Sequence, residues 1–99
     1  MIRHIVLFKL KEGLSFATRQ ELMNKFKMAI EALPAQISVI QDIEVGLNIN
    51  ADENWDIAIK GNFENLEDVK AYAKHPAHVA AGKILAEVKE SRACVDYEY

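Results

Sequence analysis

The stretch between residues 71 and 82 reads AYAKHPAHVAAG and places Tyr72, His75, Pro76 and His78 within seven positions. A residue that precedes proline is disfavoured in helical backbone geometry, whereas proline itself suits the first position of a helix. The pattern therefore predicts that one helix ends at His75 and another begins at Pro76. Tyr72 then lies in the last turn of the first helix and His78 in the first turn of the second.

This corner predicts a phenol and an imidazole close together. If His75 is the N-cap, His78 is the third residue of the new helix, where the positive end of the helix dipole favours a neutral ring. A neutral imidazole can accept a proton, and a phenol can donate a hydrogen bond to a developing oxyanion. Tyr72 and His78 are therefore the candidate catalytic pair for enolisation or aldol-type proton transfer that needs no cofactor.

Further side chains are expected to complete a pocket around this pair. His4 shares a strand face with Val6 and Phe8, and it points at the same pocket if helices cover that face. A metal site is not expected, because Pro76 separates the backbones of the two nearby histidines and no paired carboxylate accompanies them. The candidate ligand-binding residues are His4, Phe8, Phe26, His75 and Leu85.

Length and composition exclude several classes of function. The 99 residues predict one domain over residues 1–99, and the net charge of −3 with scattered basic residues excludes a nucleic-acid-binding face. No stretch approaches the roughly 20 apolar residues of a membrane span. Cys94 is the only cysteine, so we expect no disulfide framework but a buried, inert thiol in a cytoplasmic protein.

The apolar periodicity predicts the order strand, helix, strand, strand, helix pair, strand. Period-2 alternation indicates strands, and apolar residues three and four apart indicate helices. The expected elements are a strand over 2–10, a helix capped by Ser15 or Thr18 and ended by Pro34, a hairpin with strands over 39–49 and 55–63, a helix capped by Asn65, a helical segment over 76–89, and a strand over 93–99.

Some positions carry more detailed expectations. In the second strand, Ile43, Val45, Leu47 and Ile49 are expected on one face, and mid-strand Gly46 indicates a bulge or a close backbone approach. In the helix after Asn65, the residues expected to face the core are Leu66, Val69 and Ala73.

A βαββαβ order predicts a ferredoxin-like α+β sandwich with a four-stranded antiparallel sheet. Helices can cover only one face of such a sheet. The first strand is apolar on its other face too, at Ile5 and Leu7. A second copy that packs sheet against sheet would cover that face, so we expect a homodimer.

The sequence also resembles the stress-responsive A/B barrel (Dabb) domain family. The resemblance runs nearly end to end, and the YxxHPxH motif together with an early strand histidine carries it. The matching stretches are Arg3–Lys9, Gly46–Asn48, Phe63–Leu66, Tyr72–His78 and Asp96–Tyr97.

The resemblance implies a ferredoxin-like protomer that dimerises through its sheets into an α+β barrel. A plant branch of the family contains polyketide cyclases that fold a linear tetraketide by aldol condensation. Tyr72 and His78 match the acid/base residues of those cyclases, and His4 matches a pocket histidine. Phe26 stands where the cyclases have a tyrosine, so this site lacks one polar group that would orient an oxygen-rich substrate.

Three functions remain open from the sequence. The first is a pocket for a small apolar or aromatic ligand, with cofactor-free acid/base chemistry. The second is a non-catalytic dimer of the stress response, in which the histidines act as caps and packing groups. The third, by analogy of architecture alone, is a haem or quinone monooxygenase.

Overall fold

The computed structural model describes residues 1–99 and has one four-stranded sheet, in the order β2-β3-β1-β4 with all neighbours antiparallel. This topology confirms the predicted ferredoxin-like α+β fold. The elements along the chain are β1 (Ile2–Leu10), α1 (Phe16–Glu31), a 3₁₀ turn (Leu33–Ala35), β2 (Asp42–Leu47), β3 (Ile57–Phe63), α2 (Leu66–Lys74), α3 (Pro76–Gly82) and β4 (Lys89–Glu98).

The helices lie against one face of the sheet, which we call the covered face. In β1 this face presents Ile2, His4, Val6 and Leu10, all of which are buried. The core combines these residues with apolar side chains from both layers, including Met23, Phe26, Ile30, Val45, Ile57, Ile59, Phe63, Val69, Tyr72 and Leu85. Burial of these groups supplies the main driving force for folding.

The opposite face has no helix over it, and we call it the open face. Strand pairing brings Leu7 of β1 beside Ala58 of β3 and Ala93 of β4, and brings Ile5 beside Val95. Val95 is 54% exposed, and Ile5 and Leu7 are only partly buried. The open face therefore presents a continuous apolar strip across three strands.

Local hydrogen bonds explain where the two longer helices begin. The Ser15 hydroxyl accepts from the backbone N–H of Thr18 at 3.1 Å, which selects Ser15 of the two predicted caps. The Asn65 side chain accepts from the N–H of Asp68 at 2.8 Å, as the sequence predicts.

Edge strand β2 is joined to α1 through the backbone of Val45. The Glu31 carboxylate accepts from the N–H of Val45 at 3.0 Å, and the Lys27 ammonium donates to the carbonyl of Val45 at 2.5 Å. Lys27 also donates to Glu31 at 2.9 Å. The backbone groups of β2 that point away from the sheet at this position are thus both hydrogen-bonded.

The hairpin strands are shorter than the sequence predicts. Strand β2 ends at Leu47, and Ile49 lies beyond it fully exposed, because Asn48 starts a turn stabilised by hydrogen bonds to Asn50. The expected bulge or close approach at Gly46 is wrong, since the register there is regular and the position has open space. Gly61 is the crowded glycine, since a Cβ there would lie 2.9 Å from the Phe63 ring.

Three expectations about the second half of the chain are also wrong. Helix α3 ends at Gly82 rather than near residue 89, and turns with hydrogen bonds three residues back follow it. Leu66 is 50% exposed and Ala73 is exposed as well, and Tyr72 fills the core from that helix instead. Cys94 is exposed because it lies on edge strand β4, whereas α1 packs on β2 and α2 on β3.

Candidate functional site

A cavity of about 150 Å³ lies between the covered face and the helices, on the side of β4. Strands β1, β3 and β4 form its floor, and all three helices contribute to its walls. Its lining residues are His4, Val6, Phe8, Phe26, Ile59, Tyr72, Ala73, His78, Gly82, Lys89 and Arg92. Apolar and aromatic groups thus surround a small number of polar ones, which is typical of small-molecule sites.

The corner between α2 and α3 has the predicted geometry. His75 has extended backbone geometry and caps α3, and its Nδ1 accepts from the N–H of Ala77 at 3.1 Å. Pro76 is the first helical residue, so His78 is the third. The cap orients α3 so that His78 reaches the cavity beside Tyr72.

Tyr72 and His78 contact each other, with ring centroids 4.4 Å apart. The His78 Nδ1 lies 3.0 Å from the carbonyl oxygen of Ala73, which can only accept, so Nδ1 carries the proton and Nε2 is left as an acceptor. The Tyr72 ring is buried against Phe63, with ring centroids 5.2 Å apart. Its hydroxyl has no hydrogen bond to a protein group and is not a buried unpaired atom, so it meets the space of the cavity. One free donor and one free acceptor thus lie in the same cavity.

The surroundings favour the neutral form of both groups. Burial raises the pKa of the Tyr72 phenol to about 12, partly opposed by the charge of Arg92. Burial also lowers the pKa of His78, and it outweighs the opposing hydrogen bond to Ala73. At neutral pH the phenol therefore keeps its proton, and the imidazole is free to accept one.

His4 lies next to Tyr72 on the floor of the cavity, with ring centroids 6.0 Å apart in an edge-to-face arrangement. Its Nδ1 is 2.5 Å from a carboxylate oxygen of Asp96, its cross-strand partner on β4. Because the carboxylate accepts this bond, Nδ1 carries the proton. Asp96 therefore fixes the orientation of the His4 ring.

Five of the seven residues predicted for the site line the cavity: His4, Phe8, Phe26, Tyr72 and His78. The remaining two do not. Leu85 is buried in the core, and His75 acts as the helix cap. The sequence prediction missed Lys89 and Arg92, which line the cavity from β4, and Asp96 behind His4. The sequence could have indicated these three residues, because a ferredoxin-like order already implies that the two terminal strands pair and that β4 borders the same cavity as β1.

One group of side chains resembles a metal-ligand set. Donor atoms of His4, Cys94 and Asp96 lie within 4.8 Å of one another. Partial desolvation of the sulfur raises the pKa of the thiol of the exposed Cys94, and the nearby Asp96 carboxylate adds to this. The 2.5 Å separation of His4 and Asp96 is shorter than the roughly 3.3 Å between two ligand atoms on tetrahedral zinc. The arrangement is that of a hydrogen-bonded group.

A larger concavity of about 340 Å³ lies elsewhere, at the end of the β2–β3 hairpin near Trp55. Leu7 and Ala58 of the open face line it, but no histidine or tyrosine does. Its titratable groups are the carboxylates of Glu53 and Asp56, and it lacks the phenol and imidazole pair of the smaller cavity, so we assign it to the open face.

Fold and cavity together define a ferredoxin-like α+β protein with a polar pair set in an apolar pocket beneath its helices. The chain matches the Stress responsive A/B Barrel Domain family (Dabb) over residues 2–99, and it belongs to that family. No helix of the protein is both long enough and apolar enough to cross a membrane.

Related proteins include enzymes and proteins of unknown function. A crystal structure from Bacteroides fragilis, described as a dimeric protein of unknown function with a ferredoxin-like fold, is 64% identical. It superposes with a TM-score of 0.97 over 99% of this chain and 95% of that one. An uncharacterised protein of Streptomyces coelicolor is 34% identical over the full length of both chains. Olivetolic acid cyclase of Cannabis sativa is 24% identical over 97% of this chain and 94% of its own.

Proposed function

We propose that this protein binds a small apolar or aromatic molecule in the cavity and transfers a proton on it without a cofactor. His78 is the general base, and Tyr72 donates a hydrogen bond to the oxygen on which negative charge develops. His4 supports the pair from the floor. The observation that carries the proposal is the free Tyr72 hydroxyl beside the free Nε2 of His78 in one largely apolar cavity.

The chemistry follows from these two groups. Nε2 of His78 takes a proton from a carbon next to a carbonyl group, and the electrons of that C–H bond form a carbon–carbon double bond. The carbonyl π pair moves onto oxygen, where the Tyr72 hydroxyl stabilises it. The enolate can then recover a proton or attack a second carbonyl within the same molecule. The similarity to a cyclase over nearly the whole chain supports this class of reaction.

Hydrogen–deuterium exchange tests the proton transfer directly. Phenylacetone in D₂O exchanges its methylene protons when a base removes them, and ¹H NMR follows the loss of signal. We expect His78→Ala to lower the protein-dependent exchange rate by about 10²–10⁴-fold, which is the usual contribution of a general base. Tyr72→Phe should lower it by about 10²-fold, since it removes one oxyanion donor.

The control is His75→Asn, which removes an imidazole three residues away but retains a side chain that caps helices well. Its rate should equal that of the unmodified protein. The exchange rate should rise with pH as His78 loses its proton, with a midpoint below 6.5 because burial lowers its pKa. An exchange rate that is the same in His78→Ala as in the unmodified protein would exclude the catalytic role.

The proposal includes a homodimer formed by the open face. The apolar strip of Ile5, Leu7 and Val95 supports it, as does the description of the Bacteroides fragilis relative as dimeric. Location in the cytoplasm stays a prediction from the sequence.

A second candidate, a structural dimer without catalysis, has its own supporting observation. Both histidines of the motif form hydrogen bonds to the backbone, His75 to Ala77 and His78 to Ala73. In that case His78→Ala lowers the thermal midpoint, and phenylacetone exchange in the unmodified protein does not exceed that in buffer. Phenylacetone exchange that exceeds the rate in buffer and is lost in His78→Ala would instead favour the catalytic function.

A further inference from the structure

Two cations, Lys89 and Arg92, line the same cavity as Tyr72 and His78. Neither forms an ion pair with an acidic side chain, although acids outnumber bases in this protein by 15 to 12. Both side chains are exposed, so they lie at the side of the cavity that opens to solvent. The mouth of the cavity is therefore positive on a protein whose net charge is negative.

A β-bulge in β4 determines which side chains reach this mouth. Phe8 pairs with Arg92 and Lys9 with Ser91, but Leu10 pairs with Lys89, so Glu90 is the extra residue. Such a bulge changes the direction of the side chains next to it, here Glu90 itself and the preceding Lys89. In a regular strand Glu90, two residues from Arg92, would share its face, and Lys89 would point to the open face.

The contacts agree with that change of direction. The Lys89 ammonium lies 5.4 Å from the centre of the Phe8 ring, inside the cavity lining. Glu90 instead forms an ion pair with Lys9 at 3.3 Å. The bulge thus removes a carboxylate from the mouth of the cavity and replaces it with an ammonium group. Bulges are common next to active sites, where they redirect a side chain in this way.

The charge of Arg92 reaches the catalytic pair. It lowers the pKa of Tyr72 against the larger effect of burial, and it adds to the lowering of the pKa of His78. Both effects have the sign expected of a positive charge, which stabilises a nearby phenolate and destabilises a nearby imidazolium.

The size of the cavity limits the ligand further. A cavity of about 150 Å³ is the size that accommodates one benzene molecule in an engineered protein core. Phe8 and Phe26, packed edge to face at 5.6 Å, supply an aromatic wall. A single six-membered ring with a short substituent therefore fits the space.

We propose that the ligand is a single-ring carboxylate, and that Arg92 and Lys89 bind its carboxylate at the mouth while the ring enters the cavity toward Tyr72 and His78. This inference rests on the proposed function, since it specifies the ligand class of the same site. Arg92 and Lys89 are specificity residues here, because an arginine binds a carboxylate through two parallel hydrogen bonds and a lysine adds a point charge.

Paired probes that differ in charge alone test the proposal. Benzoate and its neutral isostere benzamide are titrated into the full-length protein at pH 7, and binding is measured by calorimetry and by NMR shifts. We expect benzoate to bind at least 10-fold more tightly than benzamide, and its affinity to fall as salt is added. Arg92→Gln and Lys89→Gln should each weaken benzoate binding about 10-fold and leave benzamide binding unchanged.

Lys70→Gln is the matched control, since it removes one positive charge from an exposed position of α2 outside the cavity. It should alter the affinity for benzoate by less than 2-fold. Equal affinity for the two probes, or benzoate affinity unchanged in the Arg92→Gln/Lys89→Gln double variant, overturns the inference. Benzamide binding with shifts at Tyr72 and His78 would then leave the proposed function standing. If neither probe binds, the carboxylate inference fails, and phenylacetone exchange decides on the proposed function separately.

Discussion

The two faces of the sheet use the same strands for different purposes. On β1, His4, Val6 and Leu10 lie under the helices, and Ile5 and Leu7 alternate with them on the open face. The covered face is closed by packing within one chain, and the cavity is the place where that packing is incomplete. The open face has no such partner within the chain. An apolar strand residue therefore stabilises the protomer on one face and the proposed dimer on the other.

A charge on the open face gives the largest expected effect. Val95→Glu would bury one unpaired carboxylate from each protomer between the two sheets, at a total cost of about 4 kcal/mol, so the dimer dissociation constant should rise about a thousandfold. Sedimentation equilibrium at micromolar concentration measures this change. Met28→Glu is the control, because Met28 is 73% exposed on α1, away from the open face, and this variant should remain dimeric. A Val95→Glu protein that is still dimeric would contradict the assignment of this face.

Truncation of one leucine on each face separates the two contributions. Leu10 is 1% exposed on the covered face, so Leu10→Ala should lower the free energy of unfolding by about 2–5 kcal/mol and leave the dimer dissociation constant unchanged. Leu7→Ala, on the same strand, should instead weaken the dimer by about 1–2 kcal/mol per protomer. Urea unfolding at several protein concentrations and sedimentation measure the two quantities. If both variants lose the same stability at every concentration, the distinction between the faces fails.

The smallest expected effect concerns Glu31, whose carboxylate binds the backbone of edge strand β2, at the border between the two faces of the sheet. The hydrogen bond from Val45, with the nearby Lys27, lowers the pKa of the Glu31 carboxyl below its usual value of 4.5. The stabilisation from this group is therefore complete above pH 4.5 and is lost as pH falls through the lower folded value. Since Glu31 is about a third exposed, about 1 kcal/mol or less is at stake.

Urea unfolding at pH 5.5 and pH 3.5 checks this loss. Glu31→Gln should lose less stability between the two pH values than the unmodified protein does. Glu21→Gln, on an exposed part of the same helix without an ion pair, should behave like the unmodified protein. Identical pH dependence in all three proteins would show that the contact to Val45 has no net effect.

The features that the sequence predicts correctly depend on local rules. Proline geometry at Pro76 is enough to predict the corner, and three-residue spacing after His75 is enough to place His78 beside Tyr72. The order of the elements follows from apolar periodicity together with the cap, glycine and proline signals between the periodic segments. These rules act over a few residues, so they need no knowledge of how distant segments pair.

The features that the sequence leaves open depend on long-range pairing. Asp96 reaches His4 across 92 positions, and Lys89 enters the cavity only because Glu90 forms a bulge. A bulge has no clear signature in the alternation of β4, none of whose residues is fully buried. The exposure of Cys94 likewise depends on which strand the helices leave uncovered. Three of the six polar side chains at or behind the cavity, Lys89, Arg92 and Asp96, are thus identified only from the folded structure.

The link between α1 and Val45 also bears on how copies of this chain can associate. A sheet that grows at its edge keeps one free edge after every addition, so such growth has no natural end and leads to fibres. At β2 an incoming strand would first have to displace Lys27 and Glu31 from the backbone groups it needs. Contact between two sheet faces, in contrast, stops at two copies, because each copy has one open face and a single partner covers it. The lysine and the glutamate therefore direct association toward an assembly of finite size.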